Sequence, residues 1–435
     1  MFETTTRNLI RFIQDCPTCY HAAAAISDIL EAHGFTRLRE TDAWKLEPGG
    51  TYYTVRSDSS LIAFRIPESE MKNFQIIASH SDSPSFKVKE NEELSVDGHY
   101  TELNVEKYGG MLFAPWFDRP LSVAGRAVVR SGNMLAARLV NIDRDLLMIP
   151  NVAIHMNREV NEGYKYHPQK DMIPLLGDET AKGGFRKLIA ESLQVSPDDI
   201  LGTDLFLYNR VPGTIWGAAG EYFSSARLDD LQCAYASVQA LLAGGNEHSV
   251  CVCCVFDNEE VGSTTKQGAD SSFLQDVLTR INSCLGRTQE QYQMAVASGF
   301  MLSADNAHAV HPHHLDKADP TNRPYMNHGP VIKFNANQKY TTDAVSGAVF
   351  RSLCEMAGVP CQTYANHSDI PGGSTLGNIS NAHVSLNTAD IGLAQLAMHS
   401  PYETAGTKDT WYMIQAMQAF YQTHISFTEK GCCLN

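Results

Sequence analysis

Apolar positions along the first third of a hundred residues recur at helical spacing. Leu9, Phe12 and Ile13, then Ile26, Ile29 and Leu30, fall on single faces. Residues 3–33 therefore predict two amphipathic helices, with Gly34 as the stop. The pattern then shortens: apolar runs at 61–66 and 74–79 have strand length. From about 87 to 223, strand-like pieces at 123–129, 135–142 and 151–156 alternate with Gly and Pro turns such as Tyr108-Gly109-Gly110, and one helical patch lies near 184–193. After Arg227 strands and helices alternate. Leu231, Tyr235, Val238 and Leu242 share a helical face over 230–242, strands are expected at 249–257, 299–304, 331–334 and 384–386, and a closing helix at 408–420. Such alternation predicts an α/β sheet covered by helices, here interrupted by a mostly β module. No internal repeat or low-complexity segment disturbs this order.

Length and charge narrow the picture. A chain of 435 residues exceeds one ordinary core. The pattern divides it into a catalytic-type α/β domain in two parts, 1–87 and 224–435, and an inserted β-rich domain, 88–223. Hydrophobic content of 43% and charged content of 19% describe a globular protein. The net charge of −15 speaks against nucleic acid and anionic membranes as partners. No apolar run approaches the ~18 residues of a membrane span. Residues 1–16 carry Glu3 and Asp15 and lack an apolar secretory core, so a cytoplasmic location is expected. The 11 cysteines fit a reducing compartment. Cys251, Cys253 and Cys254 act as small hydrophobes in a strand, and Cys432-Cys433 reads as a frayed tail. Cys16-Pro-Thr-Cys19 has redox spacing, but it joins two helices and has no strand before it.

The chemistry sits at strand ends. The apolar run from Val250 to Phe256 empties into Asp257-Asn258-Glu259-Glu260-Val261-Gly262. Adjacent carboxylates at the mouth of a buried strand are costly unless something neutralises them. The run 74–79 delivers His80 and Asp82, Arg227-Leu228 delivers Asp229 into a helix, 299–304 delivers Asp305, and Ala397-Met398 precedes His399. Each alone has an ordinary explanation, as a core histidine, a helix cap or a turn residue. In open α/β sheets, however, sites form outside the carboxyl ends of strands. Two His and three carboxylates, one bridging, supply three ligands to each of two divalent ions, and Zn2+ suits them, with Co2+ and Mn2+ acceptable to the same donors. Glu259 is left over as a general base, and Asp82, two residues from His80, can fix the imidazole tautomer.

The residues resemble a known family. The segments SHSDSP (79–84), YGGMLFAPWFDRPLSVAGR (108–126), RLDDL (227–231), DNEEVGS (257–263), SADNAHAVHP (303–312), GPVIKFNANQKY (329–340) and MHSPYE (398–403) are similar, in order, to the aspartyl aminopeptidase family of metallopeptidases. The resemblance implies an α/β catalytic domain of the dinuclear zinc aminopeptidase type, split by an inserted β-rich domain that serves oligomerisation and covers the site. It implies a tetrahedral homododecamer with active sites facing an inner chamber. One metal would take His80, Asp229 and Asp305; the other would take Asp229, Glu260 and His399. Glu259 would be the base and Asp82 the orienter of His80, and the Asp229–Asp230 peptide would be cis. His155 would reach a neighbouring subunit's site, and His308, Lys333 and Tyr340 would contact substrate.

The expected activity is removal of an N-terminal residue, preferably Asp or Glu, from peptides, through a water bridging two metals. A dinuclear N-deacylase of amino acids and a non-catalytic oligomeric scaffold are the alternatives.

Overall fold

The two N-terminal helices lie where the apolar spacing places them, Phe2–Asp15 and Cys19–Ala32, in a computed structural model that describes residues 1–435. Leu9, Phe12, Ile13, Ile26 and Leu30 are buried. Gly34 follows at φ +83°, a conformation glycine adopts freely.

These helices pack on a nine-stranded sheet. In spatial order its strands are Thr36–Leu38, Thr51–Arg56, Ser60–Arg65, Ser249–Phe256, Asn73–His80, Phe300–Ala304, Asn387–Gly392, Val331–Phe334 and Gln362–Ala365. The four from Ser249–Phe256 to Asn387–Gly392 run parallel. They feed two cores. Cys251, Cys253 and Val255 face the N-terminal helices and the helices Leu228–Leu242 and Asp409–Gln422. Val250, Val252, Cys254 and Phe256 face the helices Phe273–Cys284 and Gln289–Ala297. A strand covered on both faces has no polar side, which is why this stretch is an unbroken apolar run. Truncating Leu302 to Ala in this interior would cost about 2–5 kcal/mol. Register sets up the site: Phe256 pairs with His80, and Ser303 pairs with both Ala78 and Asp390. His80, Asp257 and Asp305 therefore leave the sheet along one edge.

A separate six-stranded antiparallel sheet is ordered Met134–Asn141, Leu121–Ser131, Ile200–Asn209, Ser85–Val96, Tyr100–Tyr108 and Leu175–Asp178. It has its own core, including Phe86, Leu103, Leu121, Val123 and Leu205, closed by Phe185, Ile189 and Leu193 of the helix Phe185–Leu193. A third sheet joins Thr214–Trp216, Tyr222–Ser225, Glu403–Gly406, Ala394–Leu396 and Ala307–His308.

Three expected elements differ. Residues 151–156 are not a strand: Asn151 is pinned to the Asp118 carboxylate, and Val152, Ile154 and Met156 stand 54%, 49% and 78% exposed. Their apolar alternation has no sheet neighbour within the chain. Residues 384–386 are not a strand either; the Ser380 carbonyl and the Asn381 side chain capture the amides of Val384 and Leu386, and the strand begins at Asn387. The C-terminal tail is a hairpin, Ile425–Thr428 with Gly431–Leu434, and its Phe427 stacks on Phe300. All 11 thiols are free, and burial pushes those of Cys16 and Cys19 up, which keeps this CxxC pair protonated and inert.

Candidate metal centre

His80 ends its strand at 1% exposure. Its Nδ1 lies 3.3 Å from Asp82 Oδ1 and 3.1 Å from the Asp82 carbonyl oxygen. Those acceptors hold the proton on Nδ1 and leave Nε2 as a lone-pair donor. Nε2 points at Asp229 Oδ1, 3.5 Å away. Asp229 enters the helix Leu228–Leu242 with non-helical backbone, and its peptide to Asp230 is cis. His399 Nε2 is 3.3 Å from both Asp229 Oδ2 and Glu260 Oε2. Ligand-type atoms of His80, Asp229 and Glu260 lie within 4.8 Å of one another, and so do those of Asp229, Asp230 and Asp305. Asp229 belongs to both groups, as a bridging carboxylate must.

Asp82 organises the acidic turn. Its Oδ1 accepts the Glu259 N–H at 3.1 Å and its Oδ2 the Glu260 N–H at 3.1 Å. Tyr108, from the six-stranded sheet, donates its hydroxyl to Asp82 Oδ2 at 2.7 Å and receives Asn258 Nδ2 at 2.8 Å. Asn258 turns the chain at φ +62°. The same sheet's turn comes close behind: a Cβ on Gly109 would sit 3.2 Å from Glu260 Cβ.

The donor set fits divalent cations. Asp229 Oδ1, Asp230 Oδ1 and Glu260 Oε1 are buried and accept no hydrogen bond. Buried polar atoms are normally partnered, so three bare carboxylate oxygens in one cluster call for a positive partner. The titration pattern agrees. Burial, and then the charge of Asp229, push Glu260 well up. Burial also pushes Glu259 up to about 8, with Asp305, Asp82 and Asp229 adding to it against the pull of His80. Asp229 goes the other way: the imidazoles of His399 and His80 beside it outweigh its burial. His80 and His399 rise despite burial because Asp229 faces both. Carboxyls this crowded take up protons unless cations replace them.

The expected substrate-side residues are dispersed. Lys333 is 3% exposed; its Nζ donates to the Asn306 carbonyl at 2.9 Å, lies 3.6 Å from Asp305 Oδ2 and sits 5.4 Å from the Tyr340 ring centre. His308 is exposed at the end of its two-residue strand. His155 is exposed on the turn at 154–156, and no hydrogen bond or ion pair joins it to the cluster. Sequence reasoning missed Asp230, fully buried and accepting the His80 N–H at 3.2 Å, and Glu403, which accepts amides from Asp229 and His399. The adjacency of Asp230 to Asp229 and the place of Glu403 four residues after His399 were the available signals.

A sheet with a His–carboxylate cluster at its carboxyl edge, beside a separately cored β unit, has the make-up of a metal-dependent hydrolase. The chain belongs to the M18 family, the aminopeptidase I zinc metalloproteases, whose family model matches residues 12–421. It is 45% identical over 423 residues to a probable M18 family aminopeptidase 2 of Clostridium acetobutylicum, spanning 95% of this chain and 98% of that one. The corresponding Pseudomonas aeruginosa protein is 41% identical over 425 residues, with 95% and 97% covered. Among solved structures, the Ape4 chain of an Ape4–Nbr1 complex superposes with TM-score 0.92 at 34% identity, covering 97% of this chain and 86% of that one. The S. cerevisiae mApe1 dodecamer superposes with TM-score 0.85 at 26% identity, with 97% of each chain covered. The protein is a metalloaminopeptidase of the M18 family, and no helix in it is long and apolar enough to cross a membrane.

Proposed function

We propose that the protein is a dinuclear-zinc aminopeptidase that removes the N-terminal residue, preferably Asp or Glu, from peptides. The observation that carries this is the cluster of bare, buried carboxylate oxygens around Asp229, with Glu259 beside it. His80, Asp229 and Asp305 would hold one ion, and Asp229, Glu260 and His399 the other. Divalent ions held by these residues would acidify a water and polarise a carbonyl oxygen. The Glu259 carboxylate takes the proton of the attacking water and returns it to the departing amine nitrogen. Asp82 supports it by fixing the Glu259 amide and the His80 ring at once.

Acidic selectivity is the finer part of the reading. Lys333 is a buried ammonium; one of its three donors is engaged by the Asn306 carbonyl, and the Asp305 carboxylate lies 3.6 Å away. A remaining donor can meet a substrate carboxylate under Tyr340, with His308 at the rim. We further place His155 in a neighbouring subunit's site within a homododecamer, acting in the cytoplasm. Support comes from the dodecameric mApe1 relative and from the exposed apolar residues Met134, Leu135, Val152, Ile154 and Met156 of the inserted unit, 88–223. The test is a panel of aminoacyl chromogenic substrates and N-acyl amino acids with zinc-reconstituted protein. Turnover of free-amine Asp and Glu substrates is expected. Hydrolysis confined to N-acyl compounds would make the protein a deacylase instead.

A further inference from the structure

Behind the candidate ligands runs a buried polar chain. Glu403, Gln395 and Asn306 are 2%, 1% and 2% exposed. Glu403 Oε2 accepts the Asp229 N–H at 3.1 Å. Its Oε1 accepts the His399 N–H at 2.8 Å and Gln395 Nε2 at 3.3 Å. Gln395 Oε1 in turn accepts Asn306 Nδ2 at 2.9 Å. Asn306 follows Asp305 directly, and its Nδ2 also reaches the Leu228 carbonyl at 3.0 Å and Gln232 Oε1 at 3.1 Å. One chain of three side chains thus joins the segments that carry Asp229, His399 and Asp305, which are remote from one another in sequence.

The His399 segment needs such a hold. Ala397 and His399 both adopt left-handed backbone, at φ +57° and +67°. That region is uncommon for residues other than glycine, and Ala397 is less suited to it than His399. A carboxylate suits the task because it only accepts, so each of its oxygens can take an N–H. An amide in its place presents two donors at one end.

We propose that Glu403 is a positioning residue that sets the spacing between Asp229 and His399 and, through Gln395 and Asn306, ties it to Asp305, so that the affinity of the centre for zinc depends on its carboxylate. The inference rests on the reading of those three residues as metal ligands.

Glu403→Gln tests it. The amide oxygen will stay with the side that receives two donors, which turns the NH2 toward the Asp229 N–H and frees that backbone. Metal-free full-length wild type and variant are titrated with zinc in competition with a chelator. Two ions are expected in the wild type, with affinity in the variant weaker by roughly 10–100-fold. Excess zinc should restore kcat in the variant with little change in KM. A merely structural role would lower the melting temperature but leave zinc affinity and zinc rescue unmoved. Equal zinc affinity in Glu403→Gln and wild type overturns the inference alone. Wild type that takes up no zinc overturns the ligand reading and the inference with it. If Glu403→Gln does not fold, Gln395→Met decides. It is close in size and breaks the link to both neighbours, so a weaker zinc affinity is expected and an unchanged one overturns the proposal.

Discussion

Asp229 and Glu260 invite comparison with Asp390 and Asp409. All four are buried acids in the same half of the molecule: Asp229, Asp390 and Asp409 are 3%, 0% and 0% exposed, and the Glu260 side chain is 4% exposed. Their partners differ. Asp390 Oδ2 takes the amide and hydroxyl of Thr341, and its Oδ1 takes the Thr375 hydroxyl at 2.6 Å. Asp409 Oδ1 takes the Gly329 amide at 2.9 Å, and its Oδ2 takes the Asn327 amide. Asp229 Oδ1 and Glu260 Oε1 take none. Burial of a carboxylate therefore does not mark a site. Unmet acceptor capacity does, because a buried lone pair without a donor loses hydration with nothing in return. Asp390 and Asp409 anchor loops, whereas Asp229 and Glu260 each keep an oxygen open for a positive partner.

The sharpest way to break this comparison is to remove one member of each set. Asp229→Ala should lose both zinc ions and all measurable peptidase activity, since the carboxylate lies in both ligand groups. Asp390→Asn should keep two ions and near-normal turnover while losing about 1–3 kcal/mol of stability, the penalty of opposing donors in the interior. Elemental analysis and urea unfolding of the two variants provide the check. Zinc loss from Asp390→Asn would erase the distinction.

A second substitution divides the bare cluster itself. Glu259→Gln should retain both ions and lower kcat by about 10²–10⁴-fold, because only proton transfer is removed. Steady-state kinetics beside a zinc assay will show whether the drop in rate occurs without metal loss. Near-normal turnover would remove Glu259 from the mechanism.

The sequence announces some of this and hides the rest for physical reasons. His80, Glu259, Glu260 and Asp305 stand directly after apolar runs, so the strand-end rule finds them. Strands of the large sheet near 61–66, 74–79, 249–257, 299–304 and 331–334 are legible, the buried ones because doubly covered strands leave unbroken apolar stretches such as 250–256, whereas those at 36–38, 51–56, 362–365 and 387–392 are not. Glu403, Gln395 and Asn306 carry no local pattern, because each works through backbone or amide groups far away in the chain. Residues 151–156 mislead because alternation looks the same whether the apolar side meets a neighbouring strand or stays exposed. Residues 384–386 mislead because buried Val384 and Leu386 seal a helix end and not a strand.

Lys333→Met probes selectivity and should have a smaller effect. It preserves the apolar stem and removes the ammonium. A charge-assisted hydrogen bond to a substrate carboxylate is worth roughly 1.5–3 kcal/mol, so kcat/KM for Asp- and Glu-starting peptides should fall by about one to two decades. Ala- and Leu-starting peptides should be nearly unaffected. Equal losses on all of them would assign Lys333 to holding Asp305, its neighbour at 3.6 Å.

The mildest test uses the satisfied set alone. Burial lifts Asp409 from its ordinary value near 3.8 to about 7, against the lowering effect of the Asn327 and Gly329 amides. Between those values the folded protein keeps a proton that the unfolded chain has released. Unfolding is then favoured by rising pH, so this group's contribution to stability falls from about pH 4 to about pH 7 and is level above. Asp409→Asn is neutral throughout and removes that slope. Urea midpoints at about pH 5 and about pH 8 should separate more in the wild type than in the variant, with zinc content and kcat unchanged at any fixed pH. An unchanged slope would assign the titration to other groups. Loss of zinc or of turnover would mean that loop anchors such as Asp409 also govern the centre, and the line between met and unmet carboxylates would then have to be redrawn around the whole carboxyl edge of the sheet.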